Sequence, residues 1–185
     1  MEALIRAAQQ ADFPAEVALA VSNRADAAGL AVAQGLGVKT LVVESRHYGR
    51  DREAHERAID AVLAEQHIQI ICLAGYMRLL TPYLVGRWRG RMLNIHPSLL
   101  PAFPGLDTHA RALAAGAEKH GCTVHLVTEG MDEGPILAQA EVPVLPGDTE
   151  EVLAARVLAQ EHLLYPAALA ALARKIRLPE GSPQP

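Results

Sequence analysis

Short apolar runs alternate with longer amphipathic stretches along most of this chain. Ala3 to Gln10 has helical spacing, and Val17 to Val21 is an apolar run closed by Ser22-Asn23. Asp26 to Gln34 reads as a helix that stops at Gly35 and Gly37, and Thr40 to Val43 as the next strand. Arg52 to Gln66 predicts a long polar-faced helix, and Ile68 to Ala74 and Met92 to Ile95 two further strands. Apolar strands separated by helices predict a parallel sheet covered on both faces.

The rhythm then changes. Cys122 to Thr128 and Ile136 to Val144 follow each other across a short connection, which predicts an antiparallel pair added to that sheet. Asp148 with Glu151 suggests a capping box. The last helix is expected over Thr149 to Arg174, kinked or interrupted at Pro166. The segment 178–185 reads as a flexible tail. With no repeat or linker, the 185 residues are expected to form one domain. A doubly wound sheet ordinarily opens on a strand and a glycine-rich turn, whereas this chain opens on a helix.

Half the residues are hydrophobic and the net charge is -4, without a basic run. These values predict a globular protein with no nucleic-acid or anionic-membrane surface. No apolar stretch reaches the roughly 18 residues of a membrane span, and Met1 to Gln10 lacks the form of a signal peptide. A cytoplasmic location is the expectation. Cys72 and Cys122 sit in apolar runs and read as buried free thiols.

The segment richest in chemistry is Leu93-Asn94-Ile95-His96-Pro97-Ser98-Leu99-Leu100-Pro101, followed by Pro104-Gly105. Residues two apart share one face of a strand, so Asn94 and His96 point together while Leu93 and Ile95 enter the core. Ends of parallel strands are where open α/β sheets place their sites. Asp132 lies in the turn Glu129 to Pro135, where Gly130 and Gly134 permit unusual backbone geometry. An amine attacking a formyl group passes through an oxyanion, which positioned donors stabilise. Asn94 can offer an N–H. His96 can offer a proton, and a carboxylate such as Asp132 would favour its imidazolium. That chemistry requires no metal. His125 could also face the site as a supporting group, and His109 is a weaker site candidate. His55, His67 and His120 read as surface residues.

These residues resemble the folate-dependent formyltransferases, and within them the phosphoribosylglycinamide formyltransferase family. The likeness rests on Asn94 to Pro101, Asp132 to Pro135, Ala74-Gly75-Tyr76-Met77-Arg78-Leu79-Leu80, and Gln160-Glu161-His162 with Tyr165-Pro166. It covers nearly the whole chain in order. The resemblance implies transfer of a formyl group from 10-formyltetrahydrofolate to the amine of glycinamide ribonucleotide, in purine biosynthesis. It implies Asn94, His96 and Asp132 as the catalytic triad. For the folate pocket it implies Arg52, Met77, Arg78, Leu79, Leu80, Asn94, Thr128, Glu129, Gly130, Met131 and Asp132. Glu161 matches a position that contacts the ribonucleotide. The implied partners are folate and glycinamide ribonucleotide, with the chain a monomer or homodimer. The alternatives are another folate formyltransferase, a formyltetrahydrofolate hydrolase, or a folate-binding domain without turnover.

The family also carries a first strand and a Gly-Ser-Asn type loop for the substrate phosphate. Met1 falls where the family has the first residue after that loop. A start assigned roughly a dozen residues late is favoured over a true truncation. The sheet is accordingly expected to lack a central strand and to leave two neighbours with unpaired edges.

Overall fold

A computed structural model describes residues 1–177; the expected tail at 178–185 lies outside the described residues. The elements run α1 (Glu2–Ala8), β1 (Leu19–Ser22), α2 (Ala28–Gly35), β2 (Lys39–Val42), α3 (Arg52–Glu65), β3 (Ile71–Leu73), α4 (Pro82–Arg87), β4 (Met92–His96), α5 (Thr108–Ala114), β5 (Lys119–Leu126), β6 (Ile136–Pro143) and α6 (Glu150–Arg177). The architecture is the expected mixed α/β one. β3 pairs parallel to β4, while β5 is antiparallel to both β4 and β6.

The strands form two sheets, β1-β2 and β3-β4-β5-β6. β1 and β2 are parallel, in the register Leu19 to Lys39. The ends of α3 fix the direction of β3 relative to them. His55 Nε2, near the helix start, donates to the Val43 carbonyl at 2.8 Å, just past the end of β2. Gln66, just past the helix end, accepts from Lys39 at the start of β2 at 2.8 Å. The helix therefore runs back along β2, and β3 starts at the same end as β1 and β2. Among the described residues β1 pairs only with β2 and β3 only with β4, so each keeps an unpaired edge of the kind expected.

Helices cover both faces. On one side α1 and α6 bring Leu4, Tyr165, Leu169 and Leu172 onto Leu93 and Val124. On the other, α3 and α4 bring Ile59, Leu63, Leu84 and Trp88 onto Val43 and Met92. The polar character of α3 misleads at its inner face. His55, Glu56 and Asp60 are buried there with Ile59 and Leu63, because each polar group has a partner. Glu56 accepts from the Thr81 backbone N–H at 2.8 Å, and Asp60 accepts from the Trp88 indole at 2.8 Å and the Tyr83 hydroxyl at 2.9 Å. Burial of a paired polar group avoids the desolvation cost of an unpaired one. His55 is thus a buried cross-link and not the surface residue expected; His67 is exposed.

Two local expectations change. Thr149, not Asp148, caps α6: its hydroxyl accepts from Val152 N–H at 3.3 Å. Asp148 instead accepts from Leu145 N–H at 2.8 Å and pairs with Arg156 at 2.6 Å. Pro166 sits inside α6 without ending it; the opposing cost of one missing N–H is outweighed by the long buried face. The cysteines are both free, Cys122 buried and Cys72 half-buried, and burial pushes each thiol up to about 12. Among the described residues no helix is long and apolar enough to cross a membrane.

Candidate active site

β4 carries the first two groups. Its register sets Asn94 opposite His125 and His96 opposite Thr123 on β5, so these four side chains share one face of the sheet. Leu93, pointing the other way, is fully buried. The turn after β5 supplies Asp132. Its carboxylate lies 3.4 Å from His96 Nδ1 and 3.6 Å from His125 Nε2. Asn94, His96 and Asp132 therefore meet as expected, with His125 as a fourth member.

The hydrogen bonds define the tautomers. His125 Nδ1 donates to the Leu126 carbonyl at 3.0 Å. Its Nε2 is then free to accept from the Asn94 amide at 3.3 Å, which holds the ring neutral; burial also lowers its pKa. Asn94 keeps a second N–H. His96 Nε2 lies 2.9 Å from the Phe103 carbonyl, so it must donate. Its Nδ1 faces Asp132. Both ring nitrogens thus face oxygen acceptors, the Phe103 carbonyl and the Asp132 carboxylate.

Asp132 is placed by more than its turn glycines. Its own backbone is left-handed, at φ 55°, whereas Gly130 and Gly134 are not among the positive-φ residues. The expected conformational role of the two glycines is thus corrected. Gly134 is needed for close approach: an added Cβ would run into the Leu126 carbonyl. Asp tolerates the left-handed region better than most residues. Gly105 N–H donates to Asp132 Oδ2 at 2.9 Å and ties the loop after β4 to the turn after β5. Phe103 and Gly105 were not singled out as site residues from the sequence; only the Pro104-Gly105 pair hinted at this loop.

The outer residues divide into two groups. Arg52 Nη1 donates to the Leu79 carbonyl at 3.2 Å, joining the start of α3 to the 77–80 stretch. Leu80 packs in the same apolar cluster as Val127, at the end of β5. Met77, Leu79 and Met131 are exposed hydrophobics, Arg78 is half-buried, and Thr128 and Glu129 are exposed. Glu161 is placed apart from the triad. It lines a cavity of about 190 Å³ with Met1, Gly75, Ile95 and Tyr165, and burial raises its carboxyl pKa. Among the described residues no three metal-ligating side chains are grouped to hold an ion.

His120 is buried, not at the surface as expected. Its Nε2 lies 3.1 Å from His109 Nδ1. Burial and the neighbouring His109 hold its imidazole down at about 4. This has a stability consequence. Above about pH 6.5 the ring is neutral whether folded or unfolded, and contributes no slope. Between 6.5 and 4 only the unfolded chain takes up the proton, so stability falls as pH falls, by about 3 kcal/mol in total. Below 4 both states are protonated and the slope from this group ends. Urea unfolding at pH 7 and pH 4.5 should show most of that loss, about 2 kcal/mol, and His120→Gln should flatten it. An equal loss in the variant would assign the effect elsewhere.

Comparisons with known proteins agree with this geometry. The formyl transferase family matches residues 1–169. Phosphoribosylglycinamide formyltransferase of Escherichia coli K12 is 43% identical over 166 residues, covering 90% of this chain and 78% of that protein. The trifunctional purine biosynthetic protein adenosine-3 of Gallus gallus is 46% identical over 169 residues, 91% of this chain. This chain spans only 17% of that longer protein. The crystal structure of phosphoribosylglycinamide formyltransferase from Brucella melitensis aligns with a TM-score of 0.89 at 61% identity, over 94% of this chain and 88% of that one. The chain belongs to the formyl transferase family, and its likeness there is to the phosphoribosylglycinamide formyltransferases.

Proposed function

We propose that the chain transfers a formyl group from 10-formyltetrahydrofolate to the amine of glycinamide ribonucleotide. The observation that carries this reading is the cluster of Asn94, His96 and Asp132 at the end of β4, with both His96 nitrogens facing acceptors. In that reaction the amine nitrogen bonds to the formyl carbon and the carbonyl electrons move onto oxygen. The oxyanion is stabilised by the second N–H of Asn94 and by a proton of His96. Collapse re-forms the carbonyl, breaks the bond to the folate nitrogen, and leaves that nitrogen with the proton the amine has lost. His96 serves as general acid, and Asp132 holds its imidazolium. For His96 to reach substrate through Nε2, its bond to the Phe103 carbonyl is exchanged for one to the substrate oxygen.

The exposed apolar side chains of Met77, Leu79 and Met131 suit a flat aromatic donor such as the folate ring, with Arg52, Arg78, Leu80 and the 128–132 backbone around them. Glu161 is assigned to the ribonucleotide, on the α6 side. The chain works as a single domain, in the cytoplasm, as a monomer or homodimer.

The test is formyl transfer by the purified chain. With both substrates, formylated ribonucleotide should accumulate in step with tetrahydrofolate. Formate release that ignores the ribonucleotide would instead identify a hydrolase and overturn the proposal.

A further inference from the structure

The backbone from Phe103 to Leu106 makes no backbone–backbone hydrogen bond among the described residues. Its polar groups meet three side chains instead. The Phe103 carbonyl accepts from His96, and the Gly105 N–H donates to Asp132. The Pro104 and Leu106 carbonyls, one on each side of Gly105, both accept from Arg111 Nη1, at 2.6 and 3.2 Å. Two of these anchors belong to the triad, and Arg111 is the third.

The stretch does not keep this form unaided. Phe103 is left-handed at φ 53°, and Asp107 just beyond it at φ 55°. A bulky aromatic residue resists that region and stays there only where its surroundings fix it. The position of Arg111 on α5 suits it to this task. Helical side chains lean toward the N-terminus of their helix, so Arg111, in the last turn of α5, reaches back over the loop that precedes it. Its guanidinium also lies 5.7 Å from the centre of the Phe103 ring, which meets the His120 ring edge-on at 6.0 Å. Arg24, Arg57 and Arg156 pair with carboxylates, whereas Arg111 turns Nη1 onto two backbone carbonyls.

We infer that Arg111 is a positioning residue for formyl transfer: it latches residues 103–106 so that the Gly105 N–H keeps the Asp132 carboxylate aimed at His96. This role rests on the formyl-transfer reading. In that reaction His96 Nε2 leaves the Phe103 carbonyl for the substrate oxygen. Arg111 and Asp132 then remain to hold the stretch, and of the two only Arg111 stands outside the chemistry. Misplacing a reacting group by about 1 Å can cost about a hundredfold in rate, and losing one of two remaining anchors is expected to cost part of that.

The test compares the whole chain with Arg111→Ala and Arg111→Gln. In Arg111→Ala kcat should fall about tenfold, with KM for either substrate within about threefold. Amide hydrogen exchange at Gly105 should quicken at least about tenfold, while β4 and β5 stay protected and report that the chain is folded. Arg111→Gln, which keeps an N–H for one carbonyl, should lose less. Guanidinium chloride at about 50 mM, far below the molar range that unfolds proteins, should restore part of the kcat of Arg111→Ala, and sodium chloride should not. Glycine accepts the left-handed backbone of residue 132, so Asp132→Gly removes the carboxylate that the latch aims. Adding Arg111→Ala to that variant should lower kcat by less than about twofold.

Unchanged kcat or unchanged Gly105 exchange in folded Arg111→Ala overturns this role. A raised KM at constant kcat also overturns it, and would make Arg111 a substrate-binding group. So does equal recovery with sodium chloride, or an undiminished loss in the Asp132→Gly background. Absence of formyl transfer by the unmodified chain would instead overturn the formyl-transfer reading, and exchange at Gly105 would still decide whether Arg111 latches the loop.

Discussion

Replacing His96 by alanine is expected to lower kcat for formyl transfer about a thousandfold, in the range typical of losing a general acid that also stabilises an oxyanion. KM for either substrate should move little, because the ring acts on charge that appears only in the transition state. Asp132→Asn separates charge from shape. Asn accepts the left-handed backbone that Asp132 adopts at φ 55°, so the turn keeps its form while the His96 ring loses the facing carboxylate. Its kcat should fall about tenfold to a hundredfold, with an unchanged melting temperature. Steady-state kinetics on folded protein decides both. A His96→Ala enzyme within tenfold of the original would remove His96 from the chemistry.

Leu93→Ala is expected to cost about 3 kcal/mol of stability. Leu93 is fully buried and packs with Leu4, Val124, Tyr165 and Leu169. Truncating such a side chain loses its transfer energy and leaves a cavity that neighbours fill only partly. The Leu93 carbonyl and that of Leu73 also accept from the Tyr165 hydroxyl, at 3.1 and 2.8 Å, which pins α6 across the ends of β3 and β4. The packing and this clamp act on the strand that presents Asn94 and His96. For a chain of this size the loss corresponds to about a 10 °C fall in melting temperature. Urea unfolding is the direct check, and a change below 1 kcal/mol would mean that the core under β4 is looser than its burial indicates.

Much of the site was legible because its logic is local. The period of two in a strand put Asn94 and His96 on one face without any coordinates. The order of apolar runs set the sheet's character, and the order of motifs carried the family likeness. Other features depend on which residues meet across the fold, and no local pattern encodes that. His55 and His120 look like surface residues because polar groups usually are; each is buried against a distant partner, His55 on the Val43 carbonyl and His120 with its Nε2 on His109, while His120 Nδ1 has no partner among the described residues. The cap of α6 went to Thr149 because Arg156 and Leu145 claimed Asp148.

The sequence alone determined the α/β class, the strand carrying Asn94 and His96, and the turn carrying Asp132. Periodicity and residue type follow from backbone geometry, so they can be read along the chain. Only the tertiary structure decided that His125 joins the triad, that Gly105 and Phe103 hold Asp132 and His96, and that Glu161 stands apart. Those arrangements are contacts between segments far apart in sequence, and they exist only once packing has chosen which faces meet.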